Sequence, residues 1–439
     1  MLGADGRGDI ARSRTLTREL TRIQDDSLAE KSRFESIAGR GIAGFRSDLV
    51  PHWRRVLVTG GTGCVGRIVL DRLGRARPDA QLVSIARRPP TVGRRLAGVE
   101  YLTGDVRDAE RMGRVMTDLR PDIVVHLAAQ RDPAFAEHHV AETVSTNVVG
   151  SCTVLDAAGR AGVETVVVAS TGKSVRFFTS DVYAATKKLV EVVAATAARR
   201  YGMRVACTRF THVVDNSLVA SNVRGWIARD EPILLHSPDV LLPVQSALEA
   251  YQLLVVGALA ARPSRPCVVA QRDLGWPPIS LLDLTLDYLA GHGSSRAPII
   301  FTGFPPGYEA YPYPGTYDPR TAGDFGPLMN CVEAARTGPT AVLGESVDQF
   351  ESAEGDGHRV EVDLAAMAAA PGDDRSEQFI RTLLGSASAA LLGQFVESSD
   401  PDLIRRVHWL GRRLDRRIAD HAVIHDTLDA HLGAPLLAA

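Results

Sequence analysis

Residues 55–66, RVLVTGGTGCVG, decide the fold of this chain. A short apolar run enters a turn with glycines at every third position, Gly60, Gly63 and Gly66, and a helical pattern follows. This order predicts the first strand, turn and helix of a doubly wound sheet. Glycines permit the tight turn and let the backbone approach a pyrophosphate, which the N–H groups of a helix N-terminus bind. The stretch therefore predicts dinucleotide binding, with contacts from Gly60, Gly63, Cys64, Val65 and Gly66.

The pattern that begins here repeats along the chain. Apolar runs at 55–59, 82–86, 122–127, 163–170 and 203–209 alternate with amphipathic segments, and a further strand is predicted just before Gly104. Such runs, separated by helices, are typical of a parallel sheet covered on both faces. We predict an α/β fold with a doubly wound parallel (Rossmann) sheet, a smaller substrate-side region and helical terminal extensions. The expected segments are a helical N-terminal extension at 1–52, a Rossmann dinucleotide-binding domain at 53–210, a substrate-binding region at 211–325 and a mostly helical C-terminal extension at 326–439.

The residues after the second strand favour NADP over NAD. NAD enzymes usually place Asp or Glu there for the ribose hydroxyls, whereas this chain has Arg87 and Arg88. Two guanidiniums suit a 2′-phosphate, because they form charge-assisted hydrogen bonds with it. NAD stays the alternative cofactor, and in that case the two arginines are solvated loop charges.

Further positions follow the predicted path of the cofactor. Asp105 and Val106 come after the third strand and are expected at the adenine edge. Ala128 and Ala129 end the fourth strand with small side chains, where a cofactor would pass. Asn147 lies in the helix that follows. We predict that all five contact the cofactor, mainly because they occur in this order.

A second informative stretch is residues 168–188, VASTGKSVRFFTSDVYAATKK. Tyr183 and Lys187 are four residues apart, so on a helix they share a face and point at one site. Thr171 ends the apolar run before them. Three of the chain's four lysines lie in this stretch, which indicates that a compact ammonium with a tunable pKa is needed here. The alternative is that the Lys-Lys pair begins an exposed helix face.

Composition narrows the range of partners. With 45% hydrophobic and 23% charged residues and a net charge of −2, the chain has no field that attracts nucleic acid or an anionic membrane. The five cysteines lack Cys-x-x-Cys spacing, which argues against a disulfide framework or a zinc site. No signal-peptide core and no run of about 18 apolar residues occurs. We expect a cytoplasmic homo-oligomer without metal that binds small molecules and neither nucleic acid nor membranes. Residues 1–52 are expected to pack on the main body or on a second subunit, with a partly ordered tail as the alternative.

The motifs TGGTGCVG, GDVRD, HLAA, TNVVGS, VAST and YAATKK, in this order, resemble the extended short-chain dehydrogenase/reductase family. ASTGK, ILLHSPDVLLPVQSALEA, LGWPPISLLDL and FTGFPPGYE further resemble its polysaccharide-biosynthesis branch, which includes UDP-N-acetylglucosamine 4,6-dehydratases and nucleotide-sugar epimerases. The resemblance covers about residues 54–310 and leaves both ends of the chain outside it.

The resemblance implies that Thr171, Tyr183 and Lys187 are the catalytic triad. Tyr183 would take a hydroxyl proton while hydride leaves the same carbon for the nicotinamide. Thr171 would hydrogen-bond that hydroxyl, and Lys187 would also hold the nicotinamide ribose. The unperturbed pKa of tyrosine, about 10, is too high for a base at pH 7, so we expect the adjacent ammonium and the nicotinamide charge to lower it.

Two departures from the family concern its acid and base groups. The branch usually has Thr-Asp-Lys where this chain has Thr171, Gly172 and Lys173, so the expected acid for the departing hydroxyl is missing. Lys173 remains as a candidate proton carrier. His212 occupies the position of a substrate-side Asn and titrates near pH 6.5, so it is a candidate acid or base. Alternatively, it is a polar residue that lines the cleft.

A third departure concerns the substrate. Two basic positions that hold the diphosphate in the family are replaced, one by Leu241 or Leu242 and one by Pro305. Each lost charge-assisted hydrogen bond is worth about 1.5–3 kcal/mol. We therefore expect a substrate that lacks a diphosphate, such as a nucleoside, a sugar monophosphate or a natural-product glycoside.

These observations lead to one main functional hypothesis and three alternatives. The main hypothesis is an NAD(P)-dependent dehydratase that oxidises a sugar hydroxyl to a ketone, eliminates water and returns the hydride. The second is a sugar or nucleotide-sugar epimerase, which uses the same ketone and needs no acid for a leaving group. The third is a simple NADP-dependent reductase. The fourth is a non-enzymatic NADP sensor, against which an intact Thr/Tyr/Lys set argues.

Overall fold

The computed structural model describes residues 13–17, 29–272, 274, 278–292, 296–304, 328–330, 333, 336–352, 374–411 and 419–433. The chain divides into two compact units. The larger unit comprises 42–210, 251–273 and 313–439, and the smaller comprises 1–41, 211–250 and 274–312. The larger unit confirms the predicted fold class, an α/β protein built on a doubly wound sheet.

Strands and helices alternate up to residue 210 as the sequence predicts, and the pattern is less regular afterwards. The strands are β1 (Arg55–Thr59), β2 (Gln81–Ala86), β3 (Val99–Thr103), β4 (Ile123–His126), β5 (Thr165–Thr171), β6 (Arg204–Phe210), β7 (His212–Val213), β8 (Ile233–Leu235), β9 (Leu241–Leu242), β10 (Val244–Gln245), β11 (Cys267–Gln271), β12 (Ile279–Ser280), β13 (Ile299–Phe301), β14 (Gly338–Thr340) and β15 (Gly344–Glu351). The helices are α1 (Ala29–Ile37), α2 (Cys64–Ala76), α3 (Ala109–Leu119), α4 (Pro133–His138), α5 (Val140–Val144), α6 (Gly150–Arg160), α7 (Val182–Tyr201), α8 (Leu218–Arg229), α9 (Ala247–Ala260), α10 (Leu281–His292), α11 (Asp374–Ser398), α12 (Pro401–Gly411) and α13 (Ala419–Leu432).

The larger unit contains a nine-stranded sheet. Its parallel core has the order β3-β2-β1-β4-β5-β6. This is the order of dinucleotide-binding sheets, whose ligand crevice lies at the carboxyl ends of the strands where the order reverses, here between β1 and β4. β11 pairs parallel to β6, and β15 and β14 extend the sheet in antiparallel orientation. All residues of β4 are buried, as expected for a strand covered on both faces.

Local sequence explains where the helices around this crevice begin. Asp108 caps α3 by accepting a hydrogen bond from the backbone N–H of Arg111. Asp181 caps α7 in the same way, with the N–H of Ala184 as donor. Aspartate is favoured at this position because its carboxylate satisfies an unpaired N–H of the first turn. Gly202, with a φ of 70°, ends α7 in the left-handed conformation.

The smaller unit has its own apolar core. Phe34 and Ile37 of α1 pack there with Leu284 and Leu289 of α10 and with Val223 of α8. Two-residue and three-residue strands pair locally, β7 with β10, β9 with β12 and β8 with β13. The described part of the predicted N-terminal extension therefore includes a helix that packs on other segments of the same unit.

The C-terminal bundle consists of α11, α12 and α13, which belong to the larger unit. Leu392, Val396, Ile404, Val407, Ile424 and Leu428 form its core with Phe177 and Phe178. The sequence pattern predicted mostly helix after residue 326, and it did not predict the strands β14 and β15. By length and composition alone, the segment Glu377–Ser398 of α11 could also cross a membrane, a weak criterion that core helices of soluble proteins meet too.

Candidate active site

The turn after β1 forms a close-packed cradle at the carboxyl edge of the sheet. Gly60 has a φ of 71°, and a Cβ there would lie 2.7 Å from the backbone nitrogen of Ala128. A Cβ on Gly66 would lie 2.5 Å from the carbonyl oxygen of Gly60. Gly63 is the N-cap of α2 and has no side chain that could cap the first turn. The backbone at the start of α2 is therefore open to an anionic group, as a pyrophosphate site requires.

This cradle allows a direct test with two glycines of one helix. We expect Gly66→Ala to weaken NAD binding at least about tenfold, because the added methyl forces the turn away from the helix N-terminus. Gly74→Ala is the matched control, since a Cβ there meets only Leu82 at 3.5 Å. Isothermal titration of both variants with NAD and NADP measures the effect. Equal affinities of the two variants would contradict the placement of the pyrophosphate.

Buried polar groups fix the strands behind the cradle. The Nδ1 of His126, at the end of β4, lies 2.7 Å from the hydroxyl of Thr59, and its Nε2 lies 2.9 Å from that of Ser151. Burial, assisted by the positive charge of Lys187, lowers the pKa of His126 to about 3. The ring is therefore neutral and structural. Ala128 N–H also donates to Thr59, which holds the chain after β4 against β1.

Asn147 lies in a π-helical turn, Ser145–Val149, which is a rare element that is frequent at functional sites. Its Oδ1 accepts a hydrogen bond from the N–H of Gln130 at 2.7 Å. Its Nδ2 donates to the carbonyl of Gln130 at 3.0 Å and to the hydroxyl of Thr186 at 3.1 Å. The amide thus ties the loop after β4 to α7. Its predicted contact with the cofactor stays a prediction.

The residues expected around the adenosine lie together after β2 and β3. Arg87 and Arg88 are exposed, and Arg87 lies 3.7 Å from Glu142. Asp105 pairs with Arg107 at 2.6 Å, and the hydrogen bond from this guanidinium lowers the pKa of the carboxyl group, with a further contribution from the charge of Arg87. Arg87, Arg107 and the carboxylate of Asp105 therefore lie close to one another after β2 and β3.

Thr171 and Tyr183 meet at the end of β5. Thr171 is the last residue of the strand, and Tyr183 is the second residue of α7. The side chain of Thr171 lies close enough to lower the pKa of the Tyr183 phenol, and its Oγ1 accepts a hydrogen bond from the N–H of Lys173 at 3.4 Å. The structure therefore brings together two of the predicted catalytic side chains.

The pKa of Tyr183 differs from the sequence expectation. Burial raises it to about 12, and the negative charge of Asp181 acts in the same direction. The hydrogen bond with Thr171 and the charge of Arg131 act in the opposite direction but do not outweigh burial. The expected lowering by Lys187 was wrong for the chain by itself. A bound nicotinamide would bring a further positive charge to this phenol.

Lys187 is buried, with 5% of its surface exposed, so the alternative of an exposed Lys-Lys face is wrong. Its ammonium donates to the carbonyl oxygen of Ala169 at 2.6 Å, two residues before Thr171. Burial lowers the pKa of Lys187 to about 8, against the influence of Glu191. The ammonium of Lys187 thus contacts the backbone of β5 close to its end, where Thr171 lies.

A buried ionic cluster lies on the neighbouring face of α7. Arg209, with 1% of its surface exposed, donates to both oxygens of Glu191 and to both oxygens of Glu333 at 2.6–2.9 Å. Glu191 also accepts from the hydroxyl of Ser170 at 2.5 Å. Burial lowers the pKa of Lys188 to about 8, and its ammonium donates to the carbonyl of Phe177 at 3.3 Å. The cluster connects α7, β5, β6 and the segment that contains Glu333.

Lys173 pairs with a carboxylate that the sequence analysis missed. Its ammonium lies 3.2 Å from Asp181, which also receives Arg176 at 3.3 Å. Burial by itself would raise the pKa of Asp181, but the charges of Lys173 and Arg176 outweigh this effect and lower it. Asp181 is therefore an ionised group two residues before Tyr183.

The other predicted substrate-side residues belong to the smaller unit. His212 Nε2 lies 2.7 Å from the hydroxyl of Ser217, which caps α8. Leu241 and Leu242 form β9, are partly buried, and provide no charge there. Pro305 lies outside the described residues. The roles predicted for these residues stay predictions.

Sequence reasoning missed three residues near Tyr183. Asp181 had a usable signal, because an Asp just before a helical pattern is typical of an N-cap. Arg131 follows the HLAA motif, and a cation after a cofactor-lining strand was a weaker signal. Glu137 had no signal in the sequence, because its contact is with a residue 45 positions away: its carboxylate accepts a hydrogen bond from the N–H of Val182 at 2.8 Å.

The fold and this geometry define the class of protein: a dinucleotide-binding sheet with a Thr/Tyr/Lys set at its carboxyl edge, as in short-chain dehydrogenases/reductases. The family model described as NAD dependent epimerase/dehydratase family matches residues 56–227. This part of the chain is therefore similar to the domain of that NAD-dependent family. The match confirms the resemblance that the motifs indicated.

Curated relatives agree with this assignment. The chain is 26% identical over 271 residues to the probable polysaccharide biosynthesis protein EpsC of Bacillus subtilis, covering 59% of this chain and 44% of that protein. It is 31% identical over 170 residues to a UDP-N-acetylglucosamine 4,6-dehydratase (inverting) of Campylobacter jejuni, covering 37% and 49%. The chain thus spans about half the length of these relatives. The solved structure of Pen from Bacillus thuringiensis has the same fold, with a TM-score of 0.57 at 21% identity, covering 68% of this chain and 88% of that one.

Proposed function

We propose that the protein is an NAD(P)-dependent dehydratase of a sugar or nucleoside, which oxidises a ring hydroxyl transiently, eliminates water and regains the hydride. The observation that carries the proposal is that Thr171, at the end of β5, and Tyr183, at the start of α7, meet at the edge of a dinucleotide-binding sheet, with the ammonium of buried Lys187 bonded to Ala169 of the same strand. The curated relatives, which include a UDP-N-acetylglucosamine 4,6-dehydratase and a UDP-glucose 4-epimerase, support this reaction class.

The described residues fit a dinucleotide. The glycine cradle would hold the pyrophosphate, and its close contacts leave no room for larger side chains at Gly60 or Gly66. Arg87, Arg88 and Asp105 would hold the adenosine end. When bound, the cofactor supplies a hydride acceptor that can return the hydride to the product. Every proton transfer is left to side chains of the protein.

Tyr183 is the group that takes the proton of the substrate hydroxyl. Thr171 orients the phenol and shares its hydrogen bond with that hydroxyl. Since a pKa of about 12 keeps the phenol protonated at neutral pH, the base becomes effective only where positive charge lowers that value. Arg131 and an oxidised nicotinamide are positive groups that can do so.

The elimination step needs an acid for the departing hydroxyl. Gly172 offers none, so we assign this role to Lys173, whose ammonium is held by Asp181 and is 22% exposed. In the elimination the ammonium of Lys173 gives a proton to the leaving oxygen, which departs as water, and the amine left on Lys173 takes the C–H proton next to the ketone. Epimerisation is the second candidate, and the glycine at position 172 favours it, because inversion requires no leaving-group acid.

The substrate is proposed to lack a diphosphate. The partly buried β9 presents leucine at both of its positions, and leucine cannot pair with phosphate. The dehydratase and the epimerase among the relatives act on UDP-sugars according to their names, so this chain would be a repurposed member of the family.

Mass spectrometry in deuterated water tests this proposal. The purified enzyme is incubated with UDP-N-acetylglucosamine and separately with nucleosides and sugar phosphates. We expect loss of one water from a substrate without a diphosphate. Water loss from the sugar nucleotide would contradict the substrate assignment, and deuterium gain without water loss would replace dehydration by epimerisation.

We further propose NADP as the preferred cofactor. Removing both guanidiniums in the variant Arg87→Ala/Arg88→Ala should weaken NADP binding by roughly 10–100-fold, from charge-assisted bonds of about 1.5–3 kcal/mol. NAD binding should change little. Fluorescence titration with both cofactors measures the difference, with Arg75→Ala, an exposed arginine of α2, as control. Equal weakening of NAD and NADP would refute the phosphate role.

A further inference from the structure

We propose that the C-terminal bundle is part of the catalytic centre, because it holds the loop that leads into Tyr183 and thereby positions this tyrosine. The inference rests on the proposed function only in treating Tyr183 as the base. The loop consists of residues 176–181, between the 3-10 turn Gly172–Val175 and α7, and is called the approach loop.

The first contact acts on the start of the catalytic helix. The N–H of Val182, the first residue of α7, donates to Glu137 Oε1 at 2.8 Å. The carboxylate stands at a helix N-terminus, where negative charge is favourable. Tyr183 is the next residue, so Glu137 fixes the backbone that carries the phenol.

Glu137 is itself held by the bundle. Arg381 of α11 donates to Glu137 Oε2 at 2.7 Å and to the carbonyl oxygen of the same residue at 2.7 Å. The side chain of Glu137 is only 7% exposed, so without this guanidinium it would be a buried carboxylate lacking its cationic partner. Arg381 is therefore a positioning residue that acts through Glu137.

The approach loop has further contacts with the bundle. The N–H of Thr179 donates to the hydroxyl of Ser388 in α11 at 3.3 Å, and the N–H of Ser180 donates to Asp420 of α13 at 2.8 Å. Phe177 and Phe178 are buried in the core of the bundle. Residues 177–180 of the approach loop thus all contact residues more than 200 positions later in the sequence.

Glu137 and the approach loop lie within residues 56–227, which match the family model. Their partners in the bundle, Arg381, Ser388 and Asp420, lie outside that range. The domain that contains the catalytic side chains therefore depends on groups outside it to hold Glu137 and the approach loop. A displacement of a catalytic group by about 1 Å can reduce turnover about 100-fold, so the bundle has a direct influence on rate.

Hydrogen–deuterium exchange of the full-length chain tests the contact without reference to substrate. We expect Arg381→Ala to accelerate amide exchange in peptides covering 176–183 about tenfold, while peptides from β1 and β4 keep their rates. Arg381→Lys should restore part of the protection. Arg405→Ala is the matched control, because Arg405 forms an exposed pair with Asp402 elsewhere in the bundle.

The positioning of the phenol needs its own measurement. The pKa of Tyr183 can be followed by 13Cζ-tyrosine NMR, with Tyr183→Phe identifying the signal. In Arg381→Ala we expect the value to move from about 12 towards the free value of about 10, because the ring loses its fixed burial. On any probe that the wild type converts, kcat should fall about tenfold and the KM should stay within about twofold.

Four outcomes are distinguishable. Unchanged exchange in 176–183, or faster exchange throughout the chain, would overturn the proposal. Faster local exchange with an unchanged phenol pKa and kcat would also overturn it, because the loop would then be ordered without positioning the tyrosine. If the wild type converts no probe, the proposed function fails. Hydrogen–deuterium exchange and NMR, which need no substrate, still test whether the bundle positions Tyr183. Local exchange together with a shifted pKa would support the proposal.

Discussion

Tyr183→Phe is expected to reduce turnover at least about 100-fold, which is the scale of a lost general acid–base group. The phenol hydroxyl is the only atom removed, and the ring that packs between β5 and α7 stays. Binding of NAD(P) and the thermal midpoint should therefore change little. Stopped-time product analysis by mass spectrometry measures the rate on the substrate identified in deuterated water.

The control for this variant lies on the same helix. Tyr201 ends α7, so it lies at the opposite end of the helix from Tyr183. Its phenol donates to Asp156 at 2.7 Å. Tyr201→Phe removes the same atom and should leave the rate within about twofold, the effect expected for a partly exposed hydrogen bond outside the site. If both variants keep the wild-type rate, Tyr183 is not the base.

The pH dependence of the rate gives an independent check. A phenol that acts as a base must be ionised, so the rate should rise with pH as long as the pH is below the pKa of Tyr183. That value is about 12 in the chain alone, and the positive cofactor should bring it lower. The Tyr183→Phe variant should lose this alkaline rise. A wild-type rate that shows no rise with pH would contradict the assignment.

Glu191→Ala is expected to destabilise the larger unit by about 3–5 kcal/mol, the usual result of removing one partner of a buried ion pair. Arg209 would lose two of its hydrogen bonds while remaining almost fully buried. Glu333 would still act against the lowering of the Arg209 pKa by burial, and an arginine is effectively always protonated, so Arg209 cannot respond by losing its proton. Urea unfolding followed by circular dichroism measures the loss.

An exposed pair provides the comparison for Glu191. Glu351 lies 2.7 Å from Arg265, and both side chains are at least half exposed. Glu351→Ala should cost less than about 1 kcal/mol, because water replaces the lost partner. If the two variants lose similar amounts of unfolding free energy, the buried cluster stabilises the unit no more than an exposed ion pair does.

The sequence was sufficient for the parts of the site that depend on local spacing. The glycines at 60, 63 and 66 and the pair Tyr183 and Lys187 are set by one turn and one helix, so their geometry follows from their positions. The doubly wound parallel sheet also followed from the alternation of apolar runs and helices. These features need no knowledge of distant contacts.

What the sequence could not give depends on tertiary packing. The raised pKa of Tyr183 results from burial, which no spacing reveals. The hydrogen bonds from Arg381 to Glu137 and from the N–H of Thr179 to Ser388 join residues more than 200 positions apart. The strand Gly344–Glu351 has three acidic residues and little apolar alternation, so its place in the sheet became visible only when β11 was seen beside it.

The hairpin of β14 and β15 has a practical consequence for anyone who shortens this chain. β11 is almost wholly buried, and β15 covers its open side with five paired positions. The last strand, β14, has only three residues and contains Pro339, which suits an outer edge because proline offers no donor to another strand. A fragment that stops before residue 338 would expose the apolar row CVVAQ as an unprotected edge. Such a fragment should precipitate through strand-to-strand association, even though every residue of the nucleotide cradle is present in it.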